Sequence, residues 1–347
     1  MKKTVALIFG GEGYEREISA LSAENLSSMI DRELYDVLHI HIDKNGGWYI
    51  YSSPCEEYIR SDSVNITETF PVRLGEKSGF ISNGRVIPVS CAIPCLHGDF
   101  GEDGTVQGAL TLARIKYVGQ DVYASAITSD KAYTKLAAEH LGIPVAKWII
   151  SANEDKNSAK KRAEAEIGYP MFIKPARLGS SYGAHPVYSE KDFDAAFLDA
   201  ERYDPRLLIE ELVPVEYELE CALFDNGKRM LSPGGRVLSG GSFYDFKAKY
   251  KGYDSPKTEA KTGAFPEIEK KVCEYADALA ELIGIKHLAR LDFFVTKDGN
   301  IYFNEINAFP GMTSTSLYPK LTEDMGLESG DFINLLIAKV CSDDRRI

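Results

Sequence analysis

Short apolar runs alternate with amphipathic stretches along this chain, and their order predicts an α/β protein. The run TVALIFGG has the length and composition of a buried strand. After it, YEREISALSAENLSSMI carries the spacing of an amphipathic helix, and YDVLHIHID reads as a second strand. Strand, glycine turn, helix and strand make an open α/β unit. A polar stretch from Gly46 to Gly84 then leads to the strand PVSCAIPCLH, the loop GDFGEDGTVQG and a helix ending near Lys116, and YVGQD closes a first domain, 1–127. A second unit, 128–212, holds the helix SDKAYTKLAAEHLG, stopped by Gly142-Ile143-Pro144, and the strand AKWIIS. A charged helix over Glu154–Ile167, the strand PMFIKP, the loop LGSSYGAH, the strand PVYS, a helix ending near Tyr203 and the run LLIEELV complete it. The last unit, 213–347, combines mixed strands, a segment of flexible composition from 239 to 264, the helix PEIEKKVCEYADALAELIG, a hairpin and a closing helix from Asp331.

The hairpin is the most informative stretch. Asp298-Gly299 lies between runs of alternating apolar residues, the strongest short-range hairpin signal. A two-residue turn pairs Lys297 with Asn300, and counting outward sets Asp292 opposite Glu305 and Arg290 opposite Asn307, all four on one face. The other face is apolar or neutral. Two carboxylates and an amide carbonyl are hard oxygen ligands that suit Mg2+ or Mn2+ held partly by substrate phosphates. Facing acids repel unless a cation lies between them.

Composition narrows the partners. A net charge of −12 over 347 residues argues against a general nucleic-acid or anionic-membrane binder, so a polyanion such as ATP must meet local lysines or a metal. Six scattered cysteines without a C-x-x-C pair read as buried reduced thiols. Val5–Phe9 is too short for an export signal and no run of 18 apolar residues occurs, so the expectation is a cytoplasmic protein without a membrane span.

Other motifs add candidate chemistry. Lys174 ends a strand and precedes Gly179-Ser180-Ser181-Tyr182-Gly183, which can set a lysine and backbone N–H groups against phosphate oxygens. The order differs from a Walker A loop, where the lysine follows the glycines. Gly10-Gly11-Glu12-Gly13 lacks the G-x-G-x-x-G pattern, which disfavours a nicotinamide site. Glu15 opens a helix, where a carboxylate is stabilised whether or not it has another task. His97 and the glycines after it lie at the carboxyl end of a strand, where open α/β sheets bind ligands. Glu210, Glu211, Glu216, Glu218 and Glu220 fit either a solvated sheet edge or acceptors for adenosine.

Taken together, GG-x3-ERE-I-S with Glu15, HG-x2-GEDGT-x-QG with His97, SDK with Lys131, IKPARLGSS with Lys174, FYDFKAKY at 243–250, RLD at 290–292 and NEINAFPGMT at 304–313 resemble the D-alanine:D-alanine ligases of the ATP-grasp superfamily. The resemblance runs in order through almost the whole chain. It implies three α/β domains, the first a Rossmann-like pre-ATP-grasp domain, with ATP between the central and C-terminal ones. It implies that ATP phosphorylates the carboxylate of one D-alanine and that the amine of a second displaces the phosphate, giving D-alanyl-D-alanine for peptidoglycan precursors.

In residues, the resemblance implies two Mg2+ or Mn2+ ions on Asp292, Glu305 and Asn307, phosphates on Lys131, Lys174 and Ser181, and adenosine at Glu210 or Glu211 and at Glu218. Glu15 would bind the first D-alanine's ammonium with His97 nearby and orient Ser180, which bonds Tyr250. Arg290 and the Gly311 N–H would stabilise the oxyanion, and Lys249, Ser316 and Leu317 would contact the second substrate. Residues 239–261 would form the ω-loop, and a homodimer is usual for the family. Tyr244, Tyr250 and Leu317 favour D-alanine over D-lactate and D-serine as the second substrate, D-serine being the alternative. An intact metal trio disfavours a non-catalytic sensor, and FYDFKAKY disfavours other ATP-grasp ligases. Gly13-Tyr14 departs from the family's usual small Ser-x, and LVPVEYELE lacks the usual hinge glycine.

Overall fold

The computed structural model describes residues 2–51, 66–238, 257–260, 263–328 and 330–343. In the first sheet Lys3–Gly10 is central, paired in parallel with Tyr35–Ile42 on one side and Cys91–Pro94 on the other. Val5–Phe9 is wholly buried, as an apolar run covered on both faces must be. The helix Arg16–Met29 makes the crossover between the first two strands.

The stretch from Gly46 to Gly84, expected as a polar connection, is largely sheet where it is described. Trp48–Tyr51 and Ile66–Glu68 extend the first sheet, and Phe70–Leu74, Lys77–Ser82 and Arg85–Pro88 form a separate three-stranded one. Its buried anchor is Phe80, stacked 6.3 Å from Trp48. The helix expected to reach Lys116 ends at Leu112, where Arg114 takes a left-handed φ of 56° and the chain returns to the sheet through Tyr117. A helix that local pattern did not announce, Val122–Ser129, spans residue 127, its N-terminus capped by Asp121.

The middle sheet is antiparallel, in the order His185–Val187, Met171–Pro175, Arg206–Glu211, Trp148–Ala152. Helices Lys156–Glu166 and Glu190–Glu201 cover one face with Ala159, Ala163, Phe193 and Phe197. The third sheet is also antiparallel, in the order Lys257–Ala260, Arg229–Leu238, Val215–Asp225, His287–Thr296, Ile301–Asn307. Leu291, Phe293 and Val295 pack under the helix Pro266–Ile283, leaving Arg290, Asp292 and Phe294 for the other face.

The closing helix, Asp331–Ser342, completes the first sheet rather than the third. Phe332, Ile333, Leu336 and Ile337 share a core with Val5, Leu7, Phe9 and Leu26, and Asn334 donates to the Met29 carbonyl at 2.9 Å. Cys91, Cys95 and Cys221 are buried free thiols, Cys273 and Cys341 half-buried ones; Cys55 lies outside the described residues. Among the described residues no helix is long and apolar enough to cross a membrane.

Candidate active site

The hairpin brings its four polar residues together by a different route from the one expected. Its turn has three residues, not two: Thr296 N–H donates to the Asn300 carbonyl at 3.0 Å, and Gly299 takes a left-handed φ of 78°. That change alone moves the pairing by one, so Phe293 faces Phe303. A bulge at Asn304 then restores the register, and Asp292 faces Glu305 and Arg290 faces Asn307. The extra residue places Asn304 and Glu305 on the same cavity wall, and Asn304 Oδ1 accepts from Lys174 Nζ at 3.1 Å. Strict alternation puts Asn304 on the apolar face, so sequence reasoning missed it.

Each of the opposed acids meets a cation of the chain itself. Arg290 donates to both Asp292 oxygens, at 2.8 and 2.7 Å, and lies 3.2 Å from Glu220 on the neighbouring strand. Asn307 Nδ2 donates to Asp292 at 2.9 Å, and Glu305 lies 3.3 Å from Lys131 Nζ. Lys131 also donates to the Leu178 carbonyl at 2.8 Å, which ties it to the start of the glycine-serine loop.

Lys174 and Lys135 share Glu210, at 2.6 and 2.9 Å, in a nearly dry site. Burial would raise the Glu210 carboxyl, but the two ammonium groups outweigh it and hold it near 2; burial pushes the Lys135 ammonium down. Glu211, at the strand's end, instead accepts from the Lys147 N–H at 3.0 Å. Lys135 was not anticipated, since helical spacing marks it only as one charged residue among several.

These groups line a cavity of about 430 Å³ between the middle and third sheets. Lys131, Lys174, Ser180, Ser181, Glu210, Glu211, Glu218, Arg290, Asp292 and Glu305 all face it, with Phe172, Val213, Val237 and Phe294 as apolar wall. Two acids and the Asn307 amide supply hard oxygen donors suited to a divalent cation. No group of three His, Cys, Asp or Glu side chains forms a metal site among the described residues, so the remaining ligands would come from phosphate and water.

At the cavity's edge Ser180 Oγ donates to Glu15, whose carboxylate makes no cap bond to its own helix. Ser180 and Ser181 are left-handed, with φ of 51° and 59°, so successive N–H groups can form an anion-binding nest. A Cβ on Gly179 would lie 3.3 Å from Glu15, which is why the close approach falls at a glycine. His97 is buried 3.4 Å from Ser22 Oγ, which accepts the Met312 N–H at 3.1 Å. Ser316 Oγ accepts the Thr313 N–H at 3.1 Å and would sit 3.1 Å from a Cβ on Gly311. Leu317 is buried beside Tyr318 and Leu321. Tyr250, Lys249 and residues 239–256 of the expected ω-loop lie outside the described residues, whereas Lys257–Ala260 is an edge strand.

Glu102, which carried no assignment, staples two loops: it accepts Gly98 N–H at 2.9 Å and Phe309 N–H at 3.2 Å. Burial, reinforced by Glu15, pushes its carboxyl up to about 8. Burial pushes His39, His41 and His97 the other way, to about 4. Between pH 4 and 6.5 unfolding lets each histidine take up a proton, so their contribution to stability is lost as pH falls. Glu102 releases a proton on unfolding between 4.5 and 8, so its contribution is lost as pH rises. Each net proton gives a slope of about 1.4 kcal/mol per pH unit. The urea midpoint is therefore expected to fall as pH drops below 6.5, and the stability of the parent relative to Glu102→Gln to fall as pH rises from 4.5 to 8; a difference that does not change with pH contradicts the assignment.

Two family models match the chain, D-ala D-ala ligase N-terminus over residues 4–120 and D-ala D-ala ligase C-terminus over 137–338. The chain is 37% identical to the D-alanine–D-alanine ligase of Ruminiclostridium cellulolyticum, over 97% of this chain and 94% of that protein. It is 38% identical to that of Chloroherpeton thalassium, over 97% and 95%. Among solved structures, the VanG D-Ala:D-Ser ligase from Enterococcus faecalis superposes with a TM-score of 0.87 at 32% identity, covering 98% of this chain and 100% of that one. The D-alanine-D-alanine ligase from Coxiella burnetii gives 0.84 at 29%, covering 98% and 94%.

Proposed function

The chain belongs to the D-ala D-ala ligase family, and from that premise we propose that it joins two D-alanines into D-alanyl-D-alanine with conversion of ATP to ADP and phosphate. The observation that carries this reading is the cavity wall on which Lys131, Lys174, Arg290, Asp292 and Glu305 meet beside the Glu15–Ser180 hydrogen bond.

In this reading Phe172, Val213, Val237 and Phe294 bury the adenine, and Glu218 with a hinge residue at Glu211 accepts from adenosine. Lys131, Lys174 and the N–H groups at Ser180 and Ser181 hold the phosphates. Asp292, Glu305 and Asn307 would hold Mg2+ or Mn2+, which neutralises phosphate charge as it transfers. Glu15 takes the ammonium of the first D-alanine, leaving its carboxylate to attack the γ-phosphate. The amine of the second D-alanine then attacks the acyl phosphate, and Arg290 with the Gly311 N–H stabilises the oxyanion as it forms. His97, neutral near pH 7 because burial lowers it, serves as a neutral hydrogen-bonding partner beside the first substrate.

Phosphate release with ATP and Mg2+, with the dipeptide identified by mass, tests the reading. D-Alanyl-D-alanine is expected to dominate over D-alanyl-D-serine when both amino acids are supplied; no phosphate release from folded, ATP-binding protein removes the proposal. The buried apolar Leu317 offers nothing polar to a serine hydroxyl. Leu317→Arg is expected to shift the ratio of the two kcat/KM values towards D-serine, and an unchanged ratio in a variant of normal melting temperature contradicts that role.

A further inference from the structure

Tyr14 stands next to Glu15, yet the chemistry above does not use it, and its side chain is 55% exposed. It is nonetheless held by two other tyrosines. Its ring centroid lies 5.3 Å from that of Tyr182, at 36°, and 5.3 Å from that of Tyr203, at 68°. Tyr182 and Tyr203 are themselves 5.8 Å apart, so all three pairs fall within the range of favourable aromatic contacts. The rings come from three separate places: the turn before the first helix, the glycine-serine loop, and the residues just after the helix Glu190–Glu201.

The glycine-serine loop needs such support. Two successive non-glycine residues, Ser180 and Ser181, hold left-handed backbone conformations, which the surroundings must impose. The loop's own backbone bonds are long, 3.3 Å from Tyr182 N–H to the Gly179 carbonyl and 3.4 Å from Ala184 N–H to the Ser181 carbonyl. Its far end rests on Tyr203: a Cβ on Gly183 would lie 2.7 Å from that ring. Its near end meets Glu15 through Ser180. Tyr14 bridges the ring that the loop carries and the ring on which it rests.

We propose that Tyr14, Tyr182 and Tyr203 form an aromatic clasp that fastens the glycine-serine loop to the first domain, so that Ser180 is set on Glu15 while the loop faces the phosphates. The function of the clasp rests on the ligase reading above; its existence does not. Tyr14 is a positioning residue, acting through the loop. The clasp couples the two halves of the reaction, since a loop detached from Glu15 leaves the acyl phosphate of the first amino acid open to water.

The test is Tyr14→Ala beside Tyr14→Phe. In Tyr14→Ala the first-site KM for D-alanine is expected to rise about tenfold with the KM for ATP changed less than threefold, and the ratio of phosphate released to dipeptide formed to exceed one. Tyr14→Phe, which keeps the ring, is expected to match the parent protein; a Phe variant as impaired as Ala overturns the clasp, because the hydroxyl would then be the active part. Amide hydrogen exchange of residues 179–183 in protein without substrate is expected to quicken about tenfold in Tyr14→Ala, about 1.4 kcal/mol of lost protection. Unchanged exchange together with unchanged coupling overturns the proposal. Faster exchange in a chain whose parent makes no dipeptide keeps the clasp and removes the ligase reading instead. Tyr14 is a half-exposed turn residue, and an unchanged melting temperature of each variant separates these outcomes from misfolding.

Discussion

Replacing Glu305 by glutamine is expected to lower kcat on the order of a thousandfold while the protein stays folded. The substitution keeps shape and hydrogen-bonding capacity and removes one charge from the pair that Asp292 and Glu305 form across the hairpin. Asp292 is already engaged by Arg290 and Asn307, whereas Glu305 makes a looser 3.3 Å contact with Lys131 and keeps 22% of its side chain exposed. Its carboxylate lines the cavity, where it would meet a divalent cation beside transferring phosphate. Lys131 keeps its bond to the Leu178 carbonyl, so the stability cost is expected to be about 1 kcal/mol or less. Steady-state kinetics over a Mg2+ or Mn2+ series check this, with a raised metal requirement and little change in metal-free nucleotide binding as the expected pattern. A kcat within tenfold of the parent would remove Glu305 from the cation site.

The largest effect on stability is expected from its neighbour in charge but not in place. Glu210→Gln should cost about 3 to 5 kcal/mol of unfolding free energy, because it leaves Lys135 and Lys174 buried together without a counter-charge. Glu211→Gln, one residue along the same strand, keeps an acceptor for the Lys147 N–H and should cost about 1 kcal/mol or less. Urea unfolding of the two variants makes the comparison. Adding Lys135→Met to Glu210→Gln is expected to recover part of the loss by removing one of the two unpaired ammonium groups, leaving Lys174 held by Asn304. Equal losses for the two glutamates would mean that the buried lysines are not what Glu210 holds.

The adjacency of those two glutamates shows where sequence reasoning stops. Both border the same cavity, but only Glu210 meets buried ammonium groups, and that depends on Lys135 and Lys174, far away along the chain. Local rules reached most strands outside Trp48–Pro88, most helices and the pairing of Asp292 with Glu305, because each is encoded by periodicity within about ten residues. The hairpin register was right only in its outcome: a three-residue turn displaced it and the bulge at Asn304 restored it, and no residue type in the motif announces either event. The helix Asp331–Ser342 was legible as a helix, but not as the cover of the first sheet, since an apolar stripe does not specify its partner. Glu102 looked ordinary for the same reason, and Tyr14 stood out only as a departure from the family's usual small Ser-x. Their roles lie in contacts with Phe309, Tyr182 and Tyr203, brought near only when the sheets pack. Sequence alone determined most of the elements and where the candidate polar residues fall along them, because backbone sterics and side-chain periodicity act between near neighbours. Tertiary structure decided which charges are buried together and which loop is fastened to which, because burial and electrostatic pairing depend on distance in space.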